Sequence, residues 1–117
     1  MKLLIVEENA SVRRLIGSIL ANRAYEIHEC ADGVDALRAY STHLPDFVLM
    51  DISMKGLDGI TATRQIKAAH PAAMVIIVTD YDDAELHEAA RSAGACGYVL
   101  KENLFEVDRL LEASRNC

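Results

Sequence analysis

Five residues with the chemistry for phosphoryl transfer each follow a short apolar run. They are Glu7 and Glu8 after residues 3–6, Asp51 after residues 47–50, Thr79 after residues 75–78, and Lys101 after residues 98–100. Carboxylates bind Mg²⁺ and can attack phosphorus, and ammonium and hydroxyl groups bind phosphoryl oxygens. If the runs are parallel strands, these side chains meet at one edge of a sheet. The set predicts a magnesium-dependent phosphoryl-transfer site.

The elements that must position these residues alternate between strand and helix along the chain. Continuous apolar runs predict strands buried on both faces, whereas residues 25–30 alternate polar with apolar and predict a half-exposed edge strand. Helical spacing follows each strand, in residues 12–20, 34–40, 60–66, 84–93 and 103–114. This alternation predicts a flavodoxin-like, doubly wound (βα)5 three-layer sandwich of the α/β class, with parallel strand order 2-1-3-4-5.

Length and composition limit the classes of protein to which this chain can belong. The chain has 117 residues, of which 51% are hydrophobic, which predicts a single domain over residues 1–117. A net charge of −6 without a basic stripe predicts no nucleic-acid contact by this domain. Cys30, Cys96 and Cys117 form no Cys-x-x-Cys pair, which argues against a disulfide framework or zinc site. No apolar run reaches the length of a membrane span, so we expect no membrane contact and a cytoplasmic location.

Each candidate residue also has an ordinary structural explanation when it is taken alone. Asp51 fits a turn or cap, and Glu7 and Glu8 fit first-turn acids that favour a helix dipole. Thr79 is a common strand residue, and Lys101 is a common solvated charge. Their joint placement at four strand ends favours the site.

The segments around these residues resemble the receiver domain of bacterial two-component response regulators, from Leu3 to Leu111. The resemblance rests on residues 4–9, 45–54, 56–59, 77–79 and 94–101. It implies a phosphorylation-dependent signalling switch in which Asp51 accepts a phosphoryl group from the phosphohistidine of a sensor histidine kinase or phosphotransfer protein. The chain would then catalyse only its own phosphorylation and dephosphorylation and would not otherwise be an enzyme. Its change of conformation would control a partner or output domain. The sequence of residues 94–101 looks more like that of regulators with a LuxR-type output domain, which implies transcription regulation.

The resemblance also implies a role for each residue of the site. Glu7 and Glu8 would occupy the positions of the acidic pair that holds Mg²⁺, together with Asp51 and the backbone carbonyl of Ser53. Thr79 would be the switch hydroxyl, Tyr98 the aromatic side chain that changes rotamer with it, and Lys101 the phosphate-contacting lysine.

Two further expectations concern the lifetime of the phosphorylated state and self-association of the chain. Ser53 and Tyr81 lie where family members tune dephosphorylation, and we expect the bulky Tyr81 to shield the acyl phosphate from water. The apolar residues of the last helix, Phe105 among them, cannot all face the sheet, which allows a homodimer.

Four features depart from the common pattern of the family. Both acids of the pair are Glu where at least one Asp is common, and Asp80 follows the switch threonine where a small residue is usual. Lys55 and Glu102 stand where proline is common. The longer Glu side chains shift the metal ligands, and the charge of Asp80 opposes an incoming phosphoryl group. An alternative function is therefore an atypical, phosphorylation-independent receiver that acts as a protein-interaction module.

Two other phosphate chemistries fit the sequence less well. A phosphatase of the haloacid-dehalogenase type needs a second acid two residues after its nucleophile, and that position is Ser53. Nucleotide binding is disfavoured because no glycine-rich phosphate loop follows the first strand.

Overall fold

Five parallel strands form a central sheet with the order β2-β1-β3-β4-β5 in the computed structural model of the chain, which describes residues 1–22 and 26–115. The strands are β1 (Lys2–Val6), β2 (Glu26–Cys30), β3 (Phe47–Met50), β4 (Val75–Thr79) and β5 (Gly97–Leu100). The helices are α1 (Ala10–Leu20), α2 (Ala36–His43), α3 (Gly59–Ala69), α4 (Ala84–Ala93) and α5 (Phe105–Arg115), with a 3-10 turn at Lys101–Asn103. The predicted fold class and strand order are confirmed. Tyr25 and Cys117 lie outside the described residues.

Two apolar cores, one on each face of the sheet, explain why the central strands are apolar throughout. Successive strand residues point to opposite faces, so Leu4 and Val6 pack toward α2, α3 and α4, whereas Leu3 and Ile5 pack toward α1 and α5. β2 lies at the edge of the sheet and is only partly buried, as its alternating sequence predicts. The three-layer arrangement follows from these two cores.

Side-chain caps begin the helices directly after the strand ends that carry the predicted site. Asn9 Oδ1 accepts hydrogen bonds from the backbone N–H groups of Ser11 at 2.9 Å and Val12 at 3.1 Å. Asp58 caps α3 through the N–H of Thr61, and Asp83 caps α4. These bonds satisfy N–H groups that have no partner within the helix. Asp58 is the cap and Gly59 the first residue of α3.

The structure corrects the predicted start of the second helix. The side chain of Asp32 accepts a hydrogen bond from the N–H of Asp35 at 2.8 Å, so a turn occupies the segment before α2. Val34 therefore precedes the helix and is exposed, whereas Leu37 and Tyr40 pack into the core. In α5, Val107 and Leu111 are fully buried and Leu110 only partly.

The described helices include none with the length and apolar content needed to cross a bilayer. Cys30 and Cys96 are free thiols; the first is buried and the second exposed.

Gly59 brings the start of α3 against the chain segment that carries Asp51. Its N–H donates a hydrogen bond to the carbonyl of Ile52 at 2.9 Å. A Cβ atom at this position would overlap the carbonyl oxygen of Asp51 and lie 3.0 Å from Cα of Ile52. The lack of a side chain at Gly59 therefore helps to set the position of Asp51.

We expect Gly59→Ala to lower the free energy of unfolding by roughly 1–3 kcal/mol, because backbone atoms rather than a flexible side chain must move. Urea denaturation measures this loss. Gly17→Ala is the matched control, since a Cβ atom in that helix meets nothing closer than Ile5 Cδ1 at 4.0 Å. Alanine also favours a helix over glycine by about 1 kcal/mol, so this control should not be destabilised. Equal unfolding energies for the two variants would contradict the tight packing at Gly59.

Candidate functional site

The carboxyl ends of β1, β3, β4 and β5 border one cleft of about 610 Å³. It is lined by the following site residues predicted from the sequence: Glu7, Glu8, Asp51, Ser53, Asp80, Tyr81 and Lys101. Asn9, Lys55 and the apolar residues Val12, Leu15 and Leu104 complete the lining. The predicted site residues Thr79 and Tyr98 do not line this cleft. The sheet topology thus brings together residues that are as much as 94 positions apart.

Two buried carboxylates and one lysine form the centre of the cleft. Lys101 Nζ lies 3.0 Å from Glu7 Oε1 and 3.4 Å from Asp51 Oδ1. Glu7 is 2% exposed and Asp51 6%. The backbone N–H of Asp51 donates to the carbonyl of Val6 at 2.9 Å, so sheet hydrogen bonds hold the two acidic segments side by side. The ammonium group of Lys101 partly compensates two negative charges that have little access to water.

This burial changes the protonation of Glu7. Desolvation, together with the neighbouring carboxyl group of Asp51, raises the pKa of Glu7 to about 7 against the opposing effect of Lys101. Burial alone lowers the pKa of Lys101, but the carboxylates of Glu7, Asp51 and Asp80 raise it overall. The second carboxylate oxygen of Glu7, Oε2, is buried and has no hydrogen-bond partner in the described structure. A proton shared with Asp51, or a bound cation, would satisfy this oxygen.

The other two predicted acids lie at the rim of the cleft. Glu8 and Asp80 are exposed, and Asp80 Oδ2 lies 3.9 Å from Lys101 Nζ. Within residues 1–22 and 26–115, no three His, Cys, Asp or Glu side chains are arranged closely enough to hold a metal ion. The two carboxylates that converge are therefore Glu7 and Asp51, and Glu8 does not join them in a group of three.

Arg13 is a contributor to the site that the sequence pattern did not reveal. Its Nη1 donates to the backbone carbonyls of Glu7 at 2.7 Å and Glu8 at 3.3 Å, and its Nε donates to Glu29. These bonds fix the backbone of the acidic segment from outside the cleft. A basic residue in the first turn of the helix after the acidic pair was the available signal.

The predicted switch residues, Thr79 and Tyr98, are connected through the backbone of Tyr81. Thr79 is fully buried, and its Oγ1 accepts a hydrogen bond from the N–H of Tyr81 at 3.3 Å. The hydroxyl of Tyr98 donates to the carbonyl of Tyr81 at 2.6 Å. The ring of His87 stacks on Tyr98 with 3.6 Å between centroids, and its Nε2 lies 3.2 Å from Asp82 Oδ1. The sequence pattern gave no sign of the stacking on Tyr98, because it depends on how α4 packs beside β5.

Residues 3–115 match the family described as the response regulator receiver domain. The chain is 36% identical over 113 residues to chemotaxis protein CheY of Bacillus subtilis, a match that covers 96% of the chain and 92% of that protein. It is 35% identical over 113 residues to transcriptional regulatory protein PdtaR of Mycobacterium tuberculosis, but spans only 54% of that protein. A crystal structure of a LuxR-family two-component response regulator from Aurantimonas gives a TM-score of 0.89 at 32% identity, over 96% of this chain and 82% of that chain.

The raised pKa of Glu7 predicts that the metal-free protein loses stability as the pH rises. The carboxyl group titrates at about 7 in the folded chain, against an ordinary value of 4.5, so the folded state binds more protons between these values. The stability that protonated Glu7 contributes is therefore fully present below pH 4.5 and is lost as the pH rises past about 7. Between pH 5 and pH 8 we expect a loss of roughly 1–3 kcal/mol through this group.

Urea denaturation in the presence of a chelator measures this pH dependence. Glu7→Gln should remove most of the loss, because a neutral amide has no proton to release. Glu8→Gln is the matched control, since Glu8 is exposed at the rim, and it should keep the wild-type slope. The same pH slope in Glu7→Gln and the wild type would show that Glu7 does not carry the effect.

Proposed function

Because the chain belongs to the response regulator receiver domain family, we propose that Asp51 accepts a phosphoryl group and that its phosphorylation switches the domain between two conformations. The observation that carries this proposal is the buried carboxylate of Asp51, 3.4 Å from the ammonium group of Lys101 at the base of an open cleft. A carboxylate in this setting has a nucleophilic oxygen and a fixed positive charge beside it. The chain would catalyse its own phosphorylation and dephosphorylation and no other reaction.

The proposed transfer needs only groups that line the cleft or lie next to it. A carboxylate oxygen of Asp51 attacks phosphorus and forms an O–P bond while the P–N bond of a phosphohistidine breaks. The imidazole leaves with the electron pair of that bond and takes a proton. Lys101 would neutralise charge on a phosphoryl oxygen, and the hydroxyl of Thr79 would donate a hydrogen bond to another.

Mg²⁺ is the metal we propose for this cleft. The support is the pair of buried carboxylates and the buried oxygen of Glu7 that has no partner in the described structure. Mg²⁺ commonly binds through one or two carboxylates and keeps several waters. Glu7 and Asp51 would hold it, with Glu8 contributing from the rim and Ser53 through its backbone carbonyl. When bound, the metal supplies positive charge that lets an anionic phosphoryl group approach an anionic nucleophile.

The backbone of Tyr81 offers a route from the site to the surface. A shift of Thr79 toward the phosphoryl group would pull on Tyr81, to which Tyr98 is also hydrogen-bonded. In α4 only Ala90 and Ala93 are buried, and Leu86 and Ala89 pack partly buried against the same core, so mainly small side chains anchor that helix. We propose that Tyr98 and α4 form the moving surface, which controls a partner or an output domain such as a transcription regulator.

A protein is the donor that the shape of the cleft favours. Asp51 is 6% exposed, so the phosphoryl group of the donor must reach into the cleft, and a protein donor would also contact its rim. The rim carries the exposed apolar side chains of Leu15 and Tyr81. A sensor histidine kinase or phosphotransfer protein with an apolar surface around its phosphohistidine would fit. Tyr81 would also restrict the access of water to the acyl phosphate, with Ser53 nearby as a second modulating residue.

Self-association remains a prediction. Phe105 is exposed and lines a shallow groove with Ile19, which is compatible with a homodimer through α5.

A second candidate function is a phosphorylation-independent interaction module. It is favoured by the absence, in the described part of the chain, of a three-residue acidic group that could hold a metal, and by the extra acid Asp80 at the rim. In this case the ion pairs of Lys101 would serve only to hold the sheet edge together.

The mass of the intact protein after incubation with acetyl phosphate and Mg²⁺ separates the two functions. We expect one added phosphoryl group that is lost in Asp51→Asn and in the presence of a chelator. Asp46→Asn is the matched control. Asp46 precedes β3 at the amino ends of the strands, away from the cleft, so its replacement should not alter labelling. An adduct that persists in Asp51→Asn would contradict the proposal. No adduct with either acetyl phosphate or a phosphohistidine protein would favour the interaction module.

A further inference from the structure

Asp80 places a negative charge at the mouth of the cleft that the proposed transfer to Asp51 does not use. Its side chain is 71% exposed, and it lines the same cleft as Asp51. Its Oδ2 lies 3.9 Å from Lys101 Nζ, farther away than Glu7 at 3.0 Å and Asp51 at 3.4 Å. Lys101 is therefore engaged mainly by the two buried acids.

The charge of Asp80 is poorly compensated. An exposed ion pair of this length contributes little, and its positive partner is already shared with two other carboxylates. The acids that line the cleft are Glu7, Glu8, Asp51 and Asp80, whereas the basic residues are Lys55 and Lys101. An anion that enters the cleft thus meets an uncompensated negative charge before it reaches Asp51.

Hydrogen bonds on either side hold Asp80 at this position. Thr79, before it, is the fully buried end of β4. Tyr81, after it, donates its N–H to Thr79 Oγ1 and accepts the hydroxyl of Tyr98 at its carbonyl. The backbone around residue 80 is therefore anchored, and the side chain that it carries lines the cleft.

We propose that Asp80 determines phosphodonor specificity by charge: it disfavours small dianionic donors such as acyl phosphates relative to donors that carry less negative charge. This inference rests on the proposed function, because it concerns phosphoryl transfer to Asp51. With acetyl phosphate, the O–P bond to Asp51 forms as the P–O bond to acetate breaks, and acetate leaves as an anion. With phosphoramidate, a monoanion near neutral pH, the P–N bond breaks and ammonia leaves with the protons that its nitrogen already carries.

The size of the effect follows from Coulomb's law. For a donor about 7 Å from Asp80 in a water-like dielectric, each unit of donor charge changes the rate about threefold. A dianion is therefore slowed about threefold more than a monoanion. Because both charges are accessible to solvent, high salt should reduce this discrimination.

The test compares initial rates of Asp51 phosphorylation by acetyl phosphate and by phosphoramidate, with saturating Mg²⁺ and at low and high salt. In Asp80→Asn, which keeps the shape of the side chain, the ratio of the two rates should shift about threefold toward acetyl phosphate at low salt. Asp80→Glu retains the charge and should keep the wild-type ratio. Asp82→Asn is the matched control, since Asp82 is 72% exposed but does not line the cleft, and it should leave the ratio unchanged.

The ratio separates a charge effect from an effect on the catalytic machinery. If Asp80→Asn changes both rates by the same factor, Asp80 acts through Lys101 or through access to the cleft, and the proposal is overturned. An unchanged ratio with labelled Asp51 also overturns it while the proposed function stands. If neither donor labels Asp51 in any variant, the proposed function fails and this inference fails with it.

Discussion

The ion pairs that Lys101 makes with two buried carboxylates are the interaction on which the site depends. Glu7 and Asp51 are nearly inaccessible to water, yet they end neighbouring strands, and Lys101 lies 3.0 Å from one and 3.4 Å from the other. Burying like charges side by side is unfavourable, and well-packed apolar residues would often give equal or greater stability. Burial and the neighbouring carboxyl group of Asp51 raise the pKa of Glu7 for this reason. The apolar strands of β1 and β3, packed on both faces, are what hold the carboxylates in place despite it.

The proposed switch needs a fixed site and an element that can move, and the sheet and α4 are packed differently. The central strands are fully buried and hydrogen-bonded in register, so the acids at their ends change position little. Helix α4 is held mainly by small residues, with Leu86 partly buried against the same core. The hydroxyl of Tyr98 donates to the carbonyl of Tyr81, and the N–H of Tyr81 donates to Thr79 Oγ1. A local change at Thr79 can therefore reach the surface through one residue. The proposed phosphorylation switch requires a connection of this kind to an element that can adopt two arrangements.

The positions of strand ends could be predicted from the sequence, and much of the site follows from them. Apolar runs and strict alternation with helices predict the parallel order, and that order brings Lys101 beside Glu7 and Asp51. Contacts that depend on side-chain rotamers could not be predicted in this way: Arg13 on the acidic backbone, and His87 on the ring of Tyr98. The sequence also did not reveal which acid of the pair would enter the cleft, since both follow the end of β1. Glu7 turns into the cleft while Glu8 stays at its rim.

The most direct measurement of the central claim identifies the residue that carries the phosphoryl group. Borohydride reduces an acyl phosphate on an aspartate side chain to the alcohol, which converts that residue to homoserine with loss of phosphate. After phosphorylation in the presence of Mg²⁺, reduction and peptide mass spectrometry, we expect homoserine at position 51 and no reduced side chain at any other acid of the cleft. Homoserine at position 80, 2-amino-5-hydroxypentanoic acid (the reduced form of a glutamyl phosphate) at position 7 or 8, or no reduced residue in a protein that gained phosphate would contradict phosphorylation of Asp51.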